Sequence, residues 1–409
     1  MNILYIYSNC SNKKYEELFR DSQIMILQQA QKYHSLLIDG LKENGAEVTC
    51  VSGLPINREL IKQLYIKKES EIINGVRYRY YGLINIPIMR QLSLFFHGMV
   101  SVFSFIEKKT ENMVICDYLN VSHSAGALLA AKICKINTVC IVTDIPGFMA
   151  NDESARAGFF KMILSIFNKI YQFVLHNFNA YIFLTKQMNE VVNTKHKPFL
   201  VLEGHVDKKM SDFSNVSNDK YLPTVVLYAG SIHKIYGIQI LVEAFVNLHI
   251  DNCELHIYGD GDFASSLNDL CKANPQVRYC GVKANHLIVQ EELKATLLVN
   301  PRPTNNAYTK YSFPSKNMEY MASGTPLLTT KLPGMPPEYL EHVYLIEDES
   351  SAGLTSTLRS VLTKPRSELH TKGDNAKTFV LMEKNNVLQS AKVLKFLHSF
   401  NTKEPLFQL

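Results

Sequence analysis

Residues 224–248 read TVVLYAGSIHKIYGIQILVEAFVNL, and this stretch sets the architecture of the chain. A short apolar run, Thr224 to Tyr228, is followed by a glycine-bearing loop and then by a helix-length segment, Ile238 to Leu248. The order predicts a strand, a turn and a helix returning along the sheet. Further apolar runs follow at Glu254 to Tyr258, Val277 to Cys280, Leu297 to Asn300 and Pro326 to Thr329. Helices are expected near Phe263 to Ala273, His286 to Leu293 and Ser315 to Ala322. Upstream, strands are expected at Asn2 to Tyr7, Glu47 to Val51, Val76 to Tyr81, Val114 to Tyr118, Thr138 to Val142, Ala180 to Leu184 and Phe199 to Leu202. The clearest helix there is Gln28 to Asn44, with Tyr33, Leu36, Leu37 and Leu41 on one face and Gly45 at its end.

Strands alternating with helices point to βαβ units and parallel sheets rather than sandwiches. At 409 residues the chain is long enough for more than one core. The polar run from Asp207 to Asp219 reads as a linker. The expected fold class is α/β, with two Rossmann-like domains facing a central cleft. An N-terminal domain is expected over residues 1–206, a linker over 207–222, a second domain over 223–383 and a final helical segment over 384–409. That last segment spaces Val387, Ala391, Leu394 and Leu397 three to four apart and is expected to return to the first domain. Ligands of such sheets bind at the carboxyl ends of the strands.

Apolar content of 46% and charge of 20% exclude a disordered or coiled-coil chain. The net charge of +5, from 43 Lys/Arg against 38 Asp/Glu, suits an anionic substrate or surface, but no Lys/Arg cluster is dense enough to suggest nucleic acid. Eight cysteines without a CxxC pair read as buried thiols, not as a disulfide framework or zinc site. The chain opens Met1-Asn2-Ile3-Leu4 without a basic leader, and no run reaches the length of a membrane span, so a cytoplasmic location is expected. Between Ala157 and Leu184, Phe159, Phe160, Ile163, Phe167, Tyr171 and Phe173 interleave with Lys161, Lys169 and His176. That pattern fits a helix on an anionic bilayer or along a lipid-acceptor groove, and also a helix packed on a sheet, which is the commoner use.

Gly259-Asp260-Gly261-Asp262-Phe263-Ala264 nominally matches a dinucleotide fingerprint, but the next strand ends Cys280-Gly281-Val282-Lys283 without the acid that would hold a ribose. Asp260 and Asp262 read as exposed turn acids rather than a cation clamp, and no metal or cofactor is called for. HExxH, P-loop and GxSxG signatures do not occur.

The segment Tyr228 to Ile238, with Leu241 to Phe245, resembles the G-x-L-x-x-x-K-G-x-x-x-L-x-x-A-F signature of retaining glycosyltransferases of family four, the bacterial surface-polysaccharide type. Phe313-Pro314-Ser315-Lys316-Asn317-Met318-Glu319 through Gly324-Thr325-Pro326 resembles that family's donor block, with Ile257 to Gly261 and Val299 to Arg302 in order between them. The resemblance implies the GT-B arrangement and a donor site of Gly230, Ser231, Lys234, Gly237, Tyr258, Gly259, Arg302, Phe313, Pro314, Ser315, Lys316 and Glu319. Glu319 matches the ribose-binding second Glu of E-x7-E. Tyr311 stands where the family places the first, and Ser231 and Tyr236 stand where it places Arg and Lys, so Lys234, Arg302 and Lys316 are the expected diphosphate partners.

On the acceptor side, Val121 to Gly126 and Cys140 to Pro146 resemble the family blocks that follow two strands, with Thr143-Asp144 in place of His-Asp. Asp144 and His123 are the candidate catalytic residues, Asp144 orienting an acceptor hydroxyl or capping a helix. The activity implied is transfer of a sugar from a nucleotide-diphosphate sugar to a hydroxyl of a lipid-linked or oligosaccharide acceptor, with peripheral contact at the inner membrane face and no nucleic-acid partner. A sugar-nucleotide epimerase and a non-catalytic nucleotide-sugar-binding partner of another glycosyltransferase are the alternatives.

Overall fold

A computed structural model describes residues 1–19, 28–56, 62–106, 111–145 and 169–402. The chain forms two compact units, Met1–His205 with Asn386–Leu409, and Val206–Asn385.

In the first unit the strands are β1 (Asn2–Tyr7), β2 (Glu47–Ser52), β3 (Tyr65–Ile66), β4 (Glu69–Ile73), β5 (Val76–Tyr80), β6 (Leu83–Ile84), β7 (Asn112–Asp117), β8 (Asn137–Val142), β9 (Ala180–Phe183) and β10 (Phe199–Val201). Eight of them form one sheet in the order β10-β9-β8-β7-β1-β2-β5-β4, and β3 pairs with β6 beside it. Every residue of the central strand β1 is buried, as both faces of a parallel sheet are covered. The edge departs from the parallel pattern. Asn74 and Gly75 take φ of +51° and +77°, which turns β4 back antiparallel to β5 in a two-residue hairpin.

The Asn386–Thr402 helix packs along the Gln28–Glu43 helix of the same unit. Ser390 Oγ donates to the Leu37 carbonyl at 3.1 Å, and Asn44 Nδ2 donates to the Val387 carbonyl at 2.8 Å. The backbones meet at Gly40, where a Cβ would lie 2.3 Å from the Asn386 carbonyl oxygen. Of the aromatic stretch from Ala157, residues 157–168 lie outside those described. Beyond them Tyr171 packs on Tyr118 with ring centroids 4.3 Å apart, while Phe173 is exposed.

The second unit contains β11 (Thr224–Ala229), β12 (Cys253–Tyr258), β13 (Val277–Tyr279), β14 (Leu297–Asn300), β15 (Leu327–Thr330) and β16 (Tyr344–Ile346), all parallel, in the order β13-β12-β11-β14-β15-β16. One face packs Leu241, Phe245, Leu267, Leu354 and Leu358 against Val226 and Leu255. The other packs Ile288, Met318, Met321 and Val380 against Val225 and Leu227. Adjacent residues of β11 therefore serve opposite cores, the mark of a doubly wound sheet. The eight cysteines are unpaired, with Cys10, Cys50, Cys116, Cys140 and Cys253 buried.

Three histidines of the first unit are buried as neutral rings. Burial lowers His34 despite Asp117, pushes His123 down to about 3, and pushes His205 down to about 4 although its ring bonds the Tyr33 carbonyl. Unfolding releases each to an ordinary value near 6.5. The unfolded chain then binds the extra protons, so this stability is present above about pH 6.5 and lost as the pH falls toward the folded values.

Gly40→Val should cost about 1–3 kcal/mol, read as a lower urea midpoint, because a backbone carbonyl occupies the space the side chain needs. His123→Leu should flatten the loss of unfolding free energy between pH 6 and pH 4.5 by about 1 kcal/mol per pH unit. Guanidinium titrations of the whole chain across that range measure the slope.

Candidate functional site

The strand order of the second unit reverses at β11 and β14: β11 connects outward to β12, while β14 connects to β15 on the other side. A crevice outside the carboxyl ends of strands forms at such a point. The Ser315–Ser323 helix is fixed there by its buried face. The Tyr320 hydroxyl accepts from the Ala229 N–H at 2.6 Å and donates to the Ala229 carbonyl at 2.9 Å. Asn317 accepts from Asn300 Nδ2 at 2.6 Å and donates to Thr329 Oγ1 at 3.2 Å. One helix is thereby tied to the ends of β11, β14 and β15. Tyr320 and Asn317 were not among the residues expected from sequence. Their separation of three places both on the face turned to the sheet.

The same helix carries Lys316 and Glu319, whose ammonium and carboxylate are 3.2 Å apart. Burial alone would lower the Lys316 pKa, but Glu319 and the buried Glu292 outweigh it and hold the lysine above its ordinary value. The ammonium is charged at neutral pH. Pro314 caps the helix without a side-chain bond, Ser315 is exposed, and the Asn317 N–H donates to the Pro314 carbonyl at 2.8 Å.

The loop after β11 is held by backbone contact. Gly237 has φ +80° and a Cβ there would lie 2.2 Å from the Pro301 carbonyl, while a Cβ on Gly259, φ +136°, would lie 1.8 Å from the Gly230 carbonyl. The loops following β11, β12 and β14 therefore touch through their main chains. Arg302 lies among them, its guanidinium 4.5 Å from the Tyr236 ring centroid and 3.3 Å from Ser312 Oγ. Its Nε is buried and has no hydrogen-bond partner among the described residues. Lys234 and Ser231 are exposed on the loop, and the Lys234 N–H donates to Asp262. The Asp260 carboxylate accepts from the Gly261 N–H.

The structure thus groups Gly230, Ser231, Lys234, Gly237, Gly259 and Arg302 on adjoining loops, and places Ser315, Lys316 and Glu319 together on the helix. The Tyr258 and Phe313 side chains belong to the core of the unit, Phe313 packing on Tyr339 at 5.3 Å between centroids. Pro314 is likewise buried and acts through the backbone of the helix start. Tyr311, half-buried, ends the single turn Ala307–Tyr311.

In the first unit the corresponding reversal lies between β1 and β7. Asn9, Tyr7, Asp117 and Tyr118 are buried at or just past the ends of these strands, joined by His34 of the Gln28–Glu43 helix. The Tyr5 hydroxyl bonds His34 Nδ1 at 2.7 Å, and His34 Nε2 is 3.7 Å from the Asp117 carboxylate. Among the described residues, both amide atoms of Asn9 and the hydroxyls of Tyr7 and Tyr118 have no hydrogen-bond partner. These polar residues were not singled out from the sequence. Asp144 is half-buried just past β8. The segment it could cap lies outside the described residues. His123 is 0% exposed, with the Gly98 backbone and Tyr81 against it, and among the described residues its ring nitrogens have no hydrogen-bond partner.

Residues 223–364 match the family model described as glycosyl transferases group 1. Comparison with curated protein sequences finds no match. Among solved structures, the chain resembles sucrose-phosphate synthase from Thermosynechococcus elongatus at 14% identity, covering 99% of this chain and 100% of that one with a TM-score of 0.70. The Anabaena protein HepE in complex with UDP is similar at 14% identity, 98% and 100% coverage and a TM-score of 0.65. The lipopolysaccharide outer core galactosyltransferase WaaB is similar at 13% identity, 98% and 99% coverage and a TM-score of 0.62. With two α/β units built on parallel sheets, the chain has the GT-B fold of these structures, and within its second unit residues 223–364, which span the reversal of the sheet, match a glycosyltransferase group 1 domain.

Proposed function

We propose that the chain transfers a sugar, with retention of configuration, from a nucleotide-diphosphate sugar to a hydroxyl of a lipid-linked glycan in cell-surface polysaccharide synthesis. The observation that carries this reading is the Lys316–Glu319 pair at the start of a helix locked to the strand ends, beside loops that meet through glycine. Glu319 accepts hydrogen bonds from the ribose hydroxyls. The helix start, which has no side-chain cap, and the backbone of the Gly230–Gly237 loop bind the diphosphate, as helix N-termini and turn amides bind anions. Lys316, Arg302 and Lys234 neutralise the charge that develops on the departing diphosphate. HepE binds UDP on the same fold, which supports a uridine donor.

The first unit takes the acceptor. Asp144 orients the attacking hydroxyl and receives its proton, in keeping with a place just past a central strand. The unpartnered atoms of Asn9, Tyr7 and Tyr118 favour a hydroxyl-rich ligand at that sheet's carboxyl edge, since buried polar groups are otherwise nearly always bonded.

UDP at about a hundred times its dissociation constant should raise the unfolding free energy by about 2.7 kcal/mol in a thermal-shift series against GDP, TDP and CMP. Glu319→Ala should weaken nucleotide-sugar binding by at least about 1.5 kcal/mol, more than tenfold, with Glu319→Gln as the variant that preserves packing. Calorimetric affinities equal to wild type would remove Glu319 from the site. Asp144→Asn should lower turnover at least about a hundredfold with donor affinity unchanged, the range of general base catalysis. Turnover that yields an epimer of the donor without any acceptor would replace transfer by isomerisation.

A further inference from the structure

The Pro87–Phe105 helix is apolar on two opposite sides. Leu94, Gly98, Ser101, Val102 and Phe105 are buried inward. At 3.6 residues per turn, Ile88, Leu92, Phe96, Val100 and Phe103 form a second stripe on the far side. That stripe faces solvent, with Ile88 71% exposed, Phe96 59% and Val100 55%. Monomeric soluble proteins seldom leave such a continuous strip uncovered.

The strip continues past the start of the helix. Tyr65 and Ile84 are directly paired across the short β3–β6 ribbon and are exposed, as are Leu64 and Ile86 on either side. Exposed cations border this end: Lys62, Lys67 and Lys68. From Leu83 to Ile106 the sequence holds Arg90 and no Asp or Glu. Arg90 itself turns back to the carbonyls of Leu54 and Ile56. Among the described residues the face is therefore an apolar stripe without acids, bordered by three lysines; Glu69, which follows Lys68, is paired with Lys14.

We infer that this face lies on a lipid bilayer carrying anionic headgroups, the stripe entering the acyl boundary while Lys62, Lys67 and Lys68 meet the headgroups. Charge selects this occupant. A symmetric dimer would set the same surface against itself and bring these lysines toward their own copies, whereas an anionic bilayer pairs them. No described helix is long and apolar enough to cross a membrane, so the helix lies in the interface plane. The inference deepens the lipid-linked acceptor proposed above by naming the surface that would meet the lipid. It stands on the exposure and charge of these residues rather than on the donor site.

Flotation of the full chain with vesicles of phosphatidylcholine containing about three parts in ten phosphatidylglycerol, and no glycolipid, tests it directly. Partition should be at least about tenfold stronger than onto pure phosphatidylcholine, since each lysine near the surface contributes about 1 kcal/mol, and should fall in high salt. Phe96→Ser with Val100→Ser should reduce partition at least about tenfold, with the thermal midpoint and UDP affinity unchanged. Lys67→Glu with Lys68→Glu should abolish the preference for the anionic vesicles. Wild-type chain that does not float, or a Phe96→Ser/Val100→Ser chain that floats equally well, overturns the inference. So does a concentration-dependent dimer that this double substitution dissolves while vesicles bind nothing. Flotation without any nucleotide binding would leave the surface standing and defeat the donor reading instead.

Discussion

A tyrosine hydroxyl holding both polar groups of one peptide residue is the constraint on which the second unit turns. Ala229 is the last residue of β11, where the ladder runs out and its N–H and carbonyl would be buried without partners. Tyr320 satisfies both, and does so from the middle of the helix that carries Lys316 and Glu319. Each orphaned group would otherwise cost about 1–3 kcal/mol. Satisfying the strand end and placing the ion pair are thus one structural event. The Asn300–Asn317–Thr329 bonds repeat the device one strand over. Two attachments fix the rotation of the helix as well as its position, and preorganisation of this kind is what charge stabilisation requires.

The glycines around the site follow from that crowding. Gly259 and Gly261 imitate a dinucleotide fingerprint, yet a Cβ at Gly261 would lie 2.2 Å from the Ile232 carbonyl, and Ile232 is itself held by the Asp260 carbonyl and by the Phe263 N–H. Their spacing serves the packing of one loop on another. The acids between them bind main-chain N–H groups at the same junction. A motif read as cofactor chemistry is here a consequence of three loops leaving one sheet end side by side.

What the sequence disclosed and what it hid divide along similar lines. Fully buried parallel strands must be unbroken apolar runs, so β1, β8, β11 and β14 were legible within a residue or so. Alternation of these runs with helices disclosed the α/β class, while the antiparallel edge is marked only by Asn74-Gly75, a local turn signal that needs no long-range information. Tyr320 and Asn317 were hidden because a buried tyrosine or asparagine acquires its role only from the strand end it meets, some ninety residues away in the case of Ala229. The burial of the Phe313, Tyr258 and His123 side chains was hidden for a related reason. Position beside a motif says that the backbone is near a site, while the direction of each side chain is settled by packing.

The two carboxyl edges treat polar groups differently, and the difference is physical rather than a matter of motif. In the second unit the strand-end polar groups are tied into the helix. In the first, Asn9, Tyr7 and Tyr118 hold polar atoms that no described residue bonds, in a buried setting, and His34 and Asp117 sit 3.7 Å apart, too far for a direct hydrogen bond. A fold tolerates such groups only where other contacts outweigh their desolvation, and six fully buried residues of β1 supply contacts of that scale. Apolar replacement of Asn9 would then lose little packing and remove an unsatisfied amide. Its place just past a strand buried along its whole length is where a fold can bear such a cost without losing its order.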